Sequence, residues 1–277
     1  MKKFLKNKIT ITILIFISVI LMYIIFGIYN HNRAYYIPQY PMEDISDILD
    51  KDDITEEDYN KIFLNTGVSP EAAKEITDSG NTSILRVLNK MYFEKPSYKK
   101  TYIAFPVTAS ELNKGILTPL VPLKKGDVLI TFNTHTLQWR HGHSAIVVDE
   151  KGEKILEHMS VGHKSKISLA KRWGIYPGFV ILRHKDSKLS SDAADYAVKN
   201  LSGIDYSIIA GIDKKDKSKN ETVDSSHCSH IVWQAYKAVG CDIDSDGGKI
   251  VTPYDISVYE DFRPIQIFGI NPEKYIE

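Results

Sequence analysis

Two cysteines, Cys228 and Cys241, are the residues of this 277-residue chain that first suggest chemistry. Cys228 opens the segment Cys-Ser-His-Ile-Val-Trp-Gln-Ala-Tyr-Lys-Ala-Val-Gly, whose apolar residues recur with helical spacing. Ser225 or Ser226 is expected to cap that helix. The thiol would then lie among unpaired backbone N–H groups, which lower a thiol pKa and favour the thiolate. This position predicts a nucleophile, whereas a lone free cysteine more often serves only in core packing.

The predicted helix also keeps the two cysteines apart. A helix from Cys228 to about Val239 separates them by about 11 residues, or about 16 Å along the helix axis. A disulfide requires Cα atoms within about 7 Å of each other. We therefore expect Cys228 to be a free thiol.

A histidine that could act as the base for this thiol lies far upstream. His143 begins His-Ser-Ala-Ile-Val-Val, whose alternation predicts a strand with His143 and Ala145 on one face. The following residues, 149–152, fit a type I turn with Gly152 in the left-handed conformation, in a three-residue loop that pairs Asp149 with Glu153. Continuing that register pairs Ala145 with Glu157 and places Glu157 diagonally beside His143.

Glu157 could then orient the imidazole. It would accept a proton from one ring nitrogen of His143 and leave the other nitrogen to take the thiol proton. A one-residue slip of the hairpin would bring His158 into this position instead. The residues alone leave both candidates open for the third group.

Two metal-site hypotheses compete with this interpretation. Seven of the nine histidines lie near the candidate residues in sequence, and His141 and His143 share a strand face, which suits zinc. The spacings H-E-x-x-H and paired C-x-x-C are missing, however. Residues 242–247 begin like a calcium loop, but the twelfth position is Pro253 instead of glutamate, which favours a solvated acidic turn. We therefore expect no metal and no other cofactor.

The N-terminus predicts a membrane anchor over residues 1–33. Four lysines precede an uncharged apolar run over residues 9–29, which is long enough to cross a bilayer and lacks a signal-peptide cleavage pattern. The positive-inside rule predicts a single-pass protein of the cell membrane with an extracytoplasmic domain. Residues 34–277 hold 30 basic and 35 acidic residues, a net charge of −5, so nucleic acid is not an expected partner.

The remaining periodicity predicts an α+β protein with an antiparallel sheet. An extended tether over residues 34–41 leads to a small helical module over residues 42–96, which carries no cluster of reactive groups. The main domain, residues 97–277, contains the strands and the helix that begins at Cys228. The predicted strands are 128–132, 143–148, 154–159, 179–183 and 261–268, and the predicted helices of this domain are 193–199 and 228–239.

Four motifs in this domain resemble a known family. They are Lys-Gly-Asp-Val before the first strand, Gly-His-Ser-Ala-Ile-Val-Val, Ile-Leu-Glu, and Cys-Ser-His-Ile-Val-Trp-Gln-Ala-Tyr. Over about residues 124–268 the chain is similar to the circularly permuted papain-like cysteine hydrolases of the YaeF/YiiX kind, relatives of NlpC-type cell-wall peptidases and of the lecithin:retinol acyltransferase group. That family has the order histidine, polar orienting residue, cysteine, and this chain has the same order.

The resemblance implies a fold and an activity. The fold is a permuted papain-like domain with Cys228 as nucleophile, His143 as base and Glu157 as orienting residue. Tyr206 resembles a family tyrosine near the substrate cleft, whereas Ser226-His227 precede the cysteine where the family pattern has an aromatic residue. The implied activity is that of an amidase or peptidase that cleaves cell-wall peptide through a thioester acyl-enzyme. The alternatives are a lipid acyl hydrolase or acyltransferase, and a module that binds a peptide or acyl group without turnover.

Overall fold

The computed structural model describes residues 2–212 and 223–275 of the chain. Its first element is helix α1 (Lys2–Asn32). Within α1, Lys8–Tyr29 is a 22-residue stretch of mean hydropathy 2.9 whose side chains are exposed instead of packed against protein. At about 1.5 Å per residue, this stretch covers the ~30 Å hydrocarbon core of a bilayer. The prediction of one N-terminal helix that is long and apolar enough to span a membrane is confirmed.

Residues 42–96 form helices, as predicted, and two of these helices begin at side-chain caps. Thr55 and Asp58 form a reciprocal capping box, in which each side chain accepts the backbone N–H of the other residue. That helix ends at Gly67, which is left-handed, and the next begins with Ser69 as cap and Pro70 at its first position. The helices of this module are α2 (Ser46–Leu49), α3 (Glu56–Thr66), α4 (Pro70–Asp78) and α5 (Ser83–Phe93).

The rest of the described chain is mixed α+β, and its two larger sheets are antiparallel, as predicted. In chain order the strands are β1 (Tyr98–Ala104), β2 (Val107–Leu112), β3 (Val128–Thr131), β4 (Thr134–Thr136), β5 (Trp139–Arg140), β6 (His143–Val147), β7 (Lys154–Glu157), β8 (Lys166–Leu169), β9 (Phe179–His184), β10 (Asp205–Tyr206), β11 (Ser225–Ser226) and β12 (Phe262–Phe268).

The main sheet has the strand order β12-β9-β3-β6-β7-β8 and contains all five predicted strands. A second sheet, β1-β2-β4-β5, was not predicted, because β1 is largely exposed and β4 and β5 are only three and two residues long. Such short or exposed strands leave no apolar alternation to detect. β10 and β11 form a short parallel pair.

The described part of this domain has three α-helices: α6 (Ser187–Leu201), α7 (Cys228–Ala238) and α8 (Pro253–Ser257). α6 is longer than the predicted 193–199 because Asp186 caps it, accepting the backbone N–H of Leu189 at 3.0 Å. Successive residues of β3 alternate between two cores. Val128 and Ile130 pack in the core that contains α6 and α7, and Leu129 packs in the core shared with the helical module.

The hairpin between β6 and β7 has the predicted three-residue loop. Ala145 pairs with Glu157, and Gly152 is left-handed, with φ of 69°. A Cβ at Gly152 would lie 2.2 Å from the carbonyl oxygen of Leu123, so only glycine fits this loop without a shift of the backbone. The alternative register, which would have put His158 beside His143, is therefore not the one formed.

Candidate active site

Cys228 is the first residue of α7, as predicted, but the helix cap differs from the prediction. His227, not Ser225 or Ser226, is the N-cap, and its Nδ1 accepts the backbone N–H of His230 at 3.4 Å. The two serines form β11 instead, where Ser226 pairs with Tyr206. The strand pairing holds both serines upstream of the cap position, so the serine-cap prediction was wrong.

His143 lies between the thiol and Glu157. Its Nε2 is 3.1 Å from Oε2 of Glu157, and the ring is close enough to Cys228 for the two groups to shift each other's pKa. A carboxylate accepts, so Nε2 carries the proton, and the Nδ1 lone pair is left for the thiol. Cys228 and Glu157 are each 8% exposed, and His143 is 2% exposed. The three residues predicted to act together are therefore adjacent and shielded from water.

Charge within this group favours the thiolate–imidazolium pair. Burial raises the pKa of Cys228, but the imidazoles of His143 and His227 outweigh burial and hold that pKa well below its usual range. Burial lowers the pKa of His143, but its bonds to Cys228 and Glu157 raise it to about 9. The two shifts together favour transfer of the thiol proton from Cys228 to His143.

Glu157 is itself held by contacts that sequence reasoning missed. Its Oε1 accepts the hydroxyl of Ser168 at 2.5 Å, and burial, which raises its pKa, is outweighed by the bonds from His143 and Ser168, which lower it. Trp173 stacks on His143, with ring centroids 5.3 Å apart and planes at 21°. Both residues lie beyond the hairpin, and no spacing rule links them to His143. They fix the carboxylate and the imidazole in place.

His227 is a second imidazole beside the thiol. Its Nε2 donates to the carbonyl of Ala210 at 3.1 Å, and its Nδ1 accepts from the first turn of α7. Both nitrogens are therefore used by the backbone, which leaves His143 as the histidine with a lone pair for the proton of Cys228. The sequence signal for His227 was its position directly before the cysteine.

A cavity of about 490 Å³ opens in front of Cys228. Tyr206, the predicted substrate-binding residue, lies in its wall, where burial and the charge of Cys228 both raise the tyrosine pKa. The first-turn N–H groups of α7 have no helical carbonyl partner and are the candidate oxyanion donors. Most other lining residues are apolar or aromatic and come from segments that sequence reasoning did not connect with the site, among them Phe132, Trp139, Ile208, Ile250, Val251, Pro253 and Tyr254.

The carboxylates that could bind a metal ion lie apart from Cys228, His143 and Glu157 in the sequence. Within residues 2–212 and 223–275, the group of three side chains close enough to share an ion is Asp244, Asp246 and Asp255, with ligand atoms within 4.8 Å of one another. Two of these belong to the predicted acidic turn. Asp255 already accepts hydrogen bonds from the backbone N–H and the hydroxyl of Thr252 as the capping box of α8.

His158, the alternative to Glu157 as the third catalytic group, instead contacts the carbonyl of His163 at 3.0 Å.

Comparison with known proteins identified no relative of this chain. Neither the protein-family models, nor the curated proteins, nor the solved structures contain a significant match to this chain.

Proposed function

We propose that this protein is a membrane-anchored, extracytoplasmic cysteine hydrolase with a permuted papain-like domain, which forms a thioester acyl-enzyme on Cys228. The observation that carries the proposal is that His143 lies between Glu157 and Cys228, and that Cys228 is in the wall of a cavity. The residue order and the motifs around these three positions support it further. No cofactor is part of the proposed reaction.

The reaction follows from the two nitrogens of His143. Nδ1 takes the thiol proton, and the sulfur of Cys228 attacks a carbonyl carbon to give a tetrahedral oxyanion near the N-terminus of α7. The C–N or C–O bond then breaks, and the leaving amine or alcohol takes the proton from the imidazolium. His143 next removes a proton from water, and the water oxygen attacks the thioester carbonyl. The C–S bond then breaks, the acid is released, and the imidazolium of His143 returns the proton to the sulfur. Glu157 keeps Nε2–H oriented throughout.

Two substrate classes remain as proposals. An amide in cell-wall peptide is supported by the proposed extracytoplasmic location and by the family resemblance. A lipid acyl ester or amide is supported by the cavity, because Trp139, Ile208 and Ile250 are exposed apolar side chains on its wall. An acyl chain would bury that apolar surface, whereas a charged peptide would leave its polar groups unpaired there.

Capture of the acyl-enzyme tests the proposal. The full-length protein in detergent is incubated separately with purified cell-wall peptide and with phospholipid, then quenched in acid, digested and analysed by mass spectrometry. We expect an acyl adduct on the peptide containing Cys228 and release of the matching product. The mass of the adduct identifies the substrate class. The matched variants are C228A, which should lose both signals, and C241A, which should keep them.

The same experiment separates an enzyme from a binding module. A binding module would retain its ligand in the C228A variant and give neither adduct nor product in the wild type. That result, obtained with a Cys228 that iodoacetamide still alkylates, would contradict turnover on either substrate class.

A further inference from the structure

The turn between β4 and β5 carries an unexpected pair of residues. Leu137 and Gln138 both have positive φ, 48° and 71°, which is the backbone of a two-residue hairpin turn usually occupied by Asn-Gly. Large side chains are strained in this conformation. Leu137 is nevertheless 62% exposed and the next residue but one, Trp139, is 61% exposed. An exposed apolar side chain thus occupies a strained position, and backbone strain of this kind is typical of functional contacts.

A second hairpin turn lies at the same end of the β1-β2-β4-β5 sheet. Val107 pairs with Thr136, so the β1–β2 turn lies beside the β4–β5 turn. That turn carries Phe105, which is 79% exposed. Phe105, Leu137 and Trp139, here called the hairpin tips, therefore project large apolar side chains from one end of the sheet.

The membrane-spanning stretch reaches this same edge. Gln138 packs against Gly27 of α1, where a Cβ would come within 3.2 Å of Cδ of Gln138, and Arg140 donates to the carbonyl of Arg33 at 2.5 Å. Gly27 lies two residues before the end of the Lys8–Tyr29 stretch, about 3 Å inside it at the helical rise. The β4–β5 turn is therefore at the depth where the hydrocarbon core gives way to the head groups.

We propose that the hairpin tips insert into the lipid–water interface of the leaflet at the C-terminal end of α1. Tryptophan and other aromatic residues favour this depth, because the ring is amphipathic and the interface offers both apolar and polar contacts. Lipid contact would also offset the strain at Leu137 by burying its side chain. Because Trp139 also lines the cavity, docking brings the mouth of the cavity to the membrane surface. The inference depends on α1 spanning the bilayer and not on turnover at Cys228.

Quenching of tryptophan fluorescence by brominated lipid tests this inference. The full-length protein is reconstituted into phosphatidylcholine vesicles with bromine on the acyl chains near the head groups, and retention after alkaline extraction confirms insertion of α1. The other two tryptophans, Trp173 and Trp233, are 2% and 3% exposed, so the quenched emission is assigned to Trp139. We expect quenching in the wild type and its loss in W139F.

Substitution at the turn supplies the matched comparison. Leu137→Asn fits positive φ better than leucine, so it should raise Tm in detergent while reducing the quenching of Trp139. Val87→Asn, at another exposed apolar position on α5, should leave quenching unchanged. Unquenched emission from the inserted wild type, extraction of the chain at alkaline pH, or equal quenching in L137N would each overturn the inference. So would a monomer–dimer change in L137N without loss of quenching, because the hairpin tips would then contact a second copy.

Discussion

The two cysteines lie at opposite ends of α7, and their thiol pKa values are shifted in opposite directions. Each thiol is 8% exposed and each lies beside a histidine: His143 at Cys228, and His184 at Cys241, where Sγ is 3.7 Å from Nε2. The pKa of Cys228 is lowered well below its usual range, whereas burial raises the pKa of Cys241. The same degree of burial and a neighbouring imidazole are therefore not sufficient to lower the pKa of a thiol.

The difference is in what the far nitrogen of each histidine contacts. In His143 the far nitrogen, Nε2, meets the carboxylate of Glu157 and must carry the proton, which leaves a lone pair toward the sulfur. In His184 the far nitrogen, Nδ1, accepts the backbone N–H of Asp186 at 3.0 Å, so the proton is on the nitrogen that faces Cys241. A neutral His184 therefore cannot take a proton from its thiol.

The surrounding charges reinforce this contrast. Cys228 lies at the helix N-terminus, where the partial positive charge stabilises a thiolate. Cys241 follows the C-terminal end, and the carboxylates of Asp261 and Asp242 add further negative charge near it. The same helix therefore favours ionisation of one thiol and opposes ionisation of the other.

Removing each thiol in turn gives the largest expected difference. C228A should lower turnover by at least about 10⁵-fold, because the proposed nucleophile is lost. C241A should leave turnover near the wild-type rate. In the wild type, iodoacetamide at pH 6 should label Cys228 and leave Cys241 unlabelled, as read by peptide mass spectrometry. Equal labelling of the two cysteines would remove the basis of the comparison.

Substituting each histidine in turn tests whether the nitrogen that faces the thiol must have a lone pair. H143Q should lower turnover by about 10³-fold, the contribution of a general base, and slow the alkylation of Cys228 at pH 6. H184Q should change neither quantity, since His184 has no lone pair toward Cys241. Stopped-flow alkylation and steady-state turnover measure the two effects. A similar loss of turnover in both variants, with unchanged Tm, would show that His143 and His184 do not differ in this way.

Glu157→Gln should change the pH profile of turnover. The ion pair forms above the lowered pKa of Cys228 and is lost as pH rises through the His143 pKa of about 9, so the alkaline limb of turnover should lie near pH 9. Glutamine cannot stabilise the imidazolium with a charge. We therefore expect turnover to fall by about 10²-fold and the alkaline limb to move to lower pH. An alkaline limb that stays near 9 in E157Q would assign that limb to another group.

Local patterns were sufficient to predict part of this site. The turn residues 149–152 determine a hairpin register that places Glu157 beside His143, and helical spacing places Cys228 at the start of α7. These features depend on residues close together in the chain. Contacts between distant segments were missed: Trp173 stacks on a histidine 30 residues away, and the cavity wall combines residues near 139 with residues near 250.

The helix cap was mispredicted for a related reason. Serine is the better cap by intrinsic preference, but Ser225 and Ser226 pair with a strand some 20 residues earlier in sequence. Tertiary pairing therefore outweighed the local preference and moved His227 into the cap. The β1-β2-β4-β5 sheet was missed because β1 has no buried residue and β4 and β5 are only three and two residues long, so its relation to α1 could not be anticipated either.

The smallest expected effect comes from the hairpin loop, which supports only one of the two thiols. Gly152→Ala combines positive φ with a Cβ 2.2 Å from a backbone oxygen, so it should cost about 2 kcal/mol of unfolding free energy. The shift needed to relieve that contact would disturb the position of Glu157. Alkylation of Cys228 at pH 6 should therefore slow by a few-fold, measured at a temperature where the variant is folded.

Gly115→Ala provides the matched control for this variant. Gly115 also has positive φ, 90°, but a Cβ there would meet nothing within 4 Å. The substitution should therefore cost only about 1 kcal/mol from backbone strain and leave Cys228 alkylation unchanged. If G115A slowed alkylation as much as G152A, general loosening of the domain would explain both results. Slowing in G152A alone would instead show that the hairpin register, which holds Glu157 against His143, contributes to the reactivity of Cys228. Cys241 has no such support.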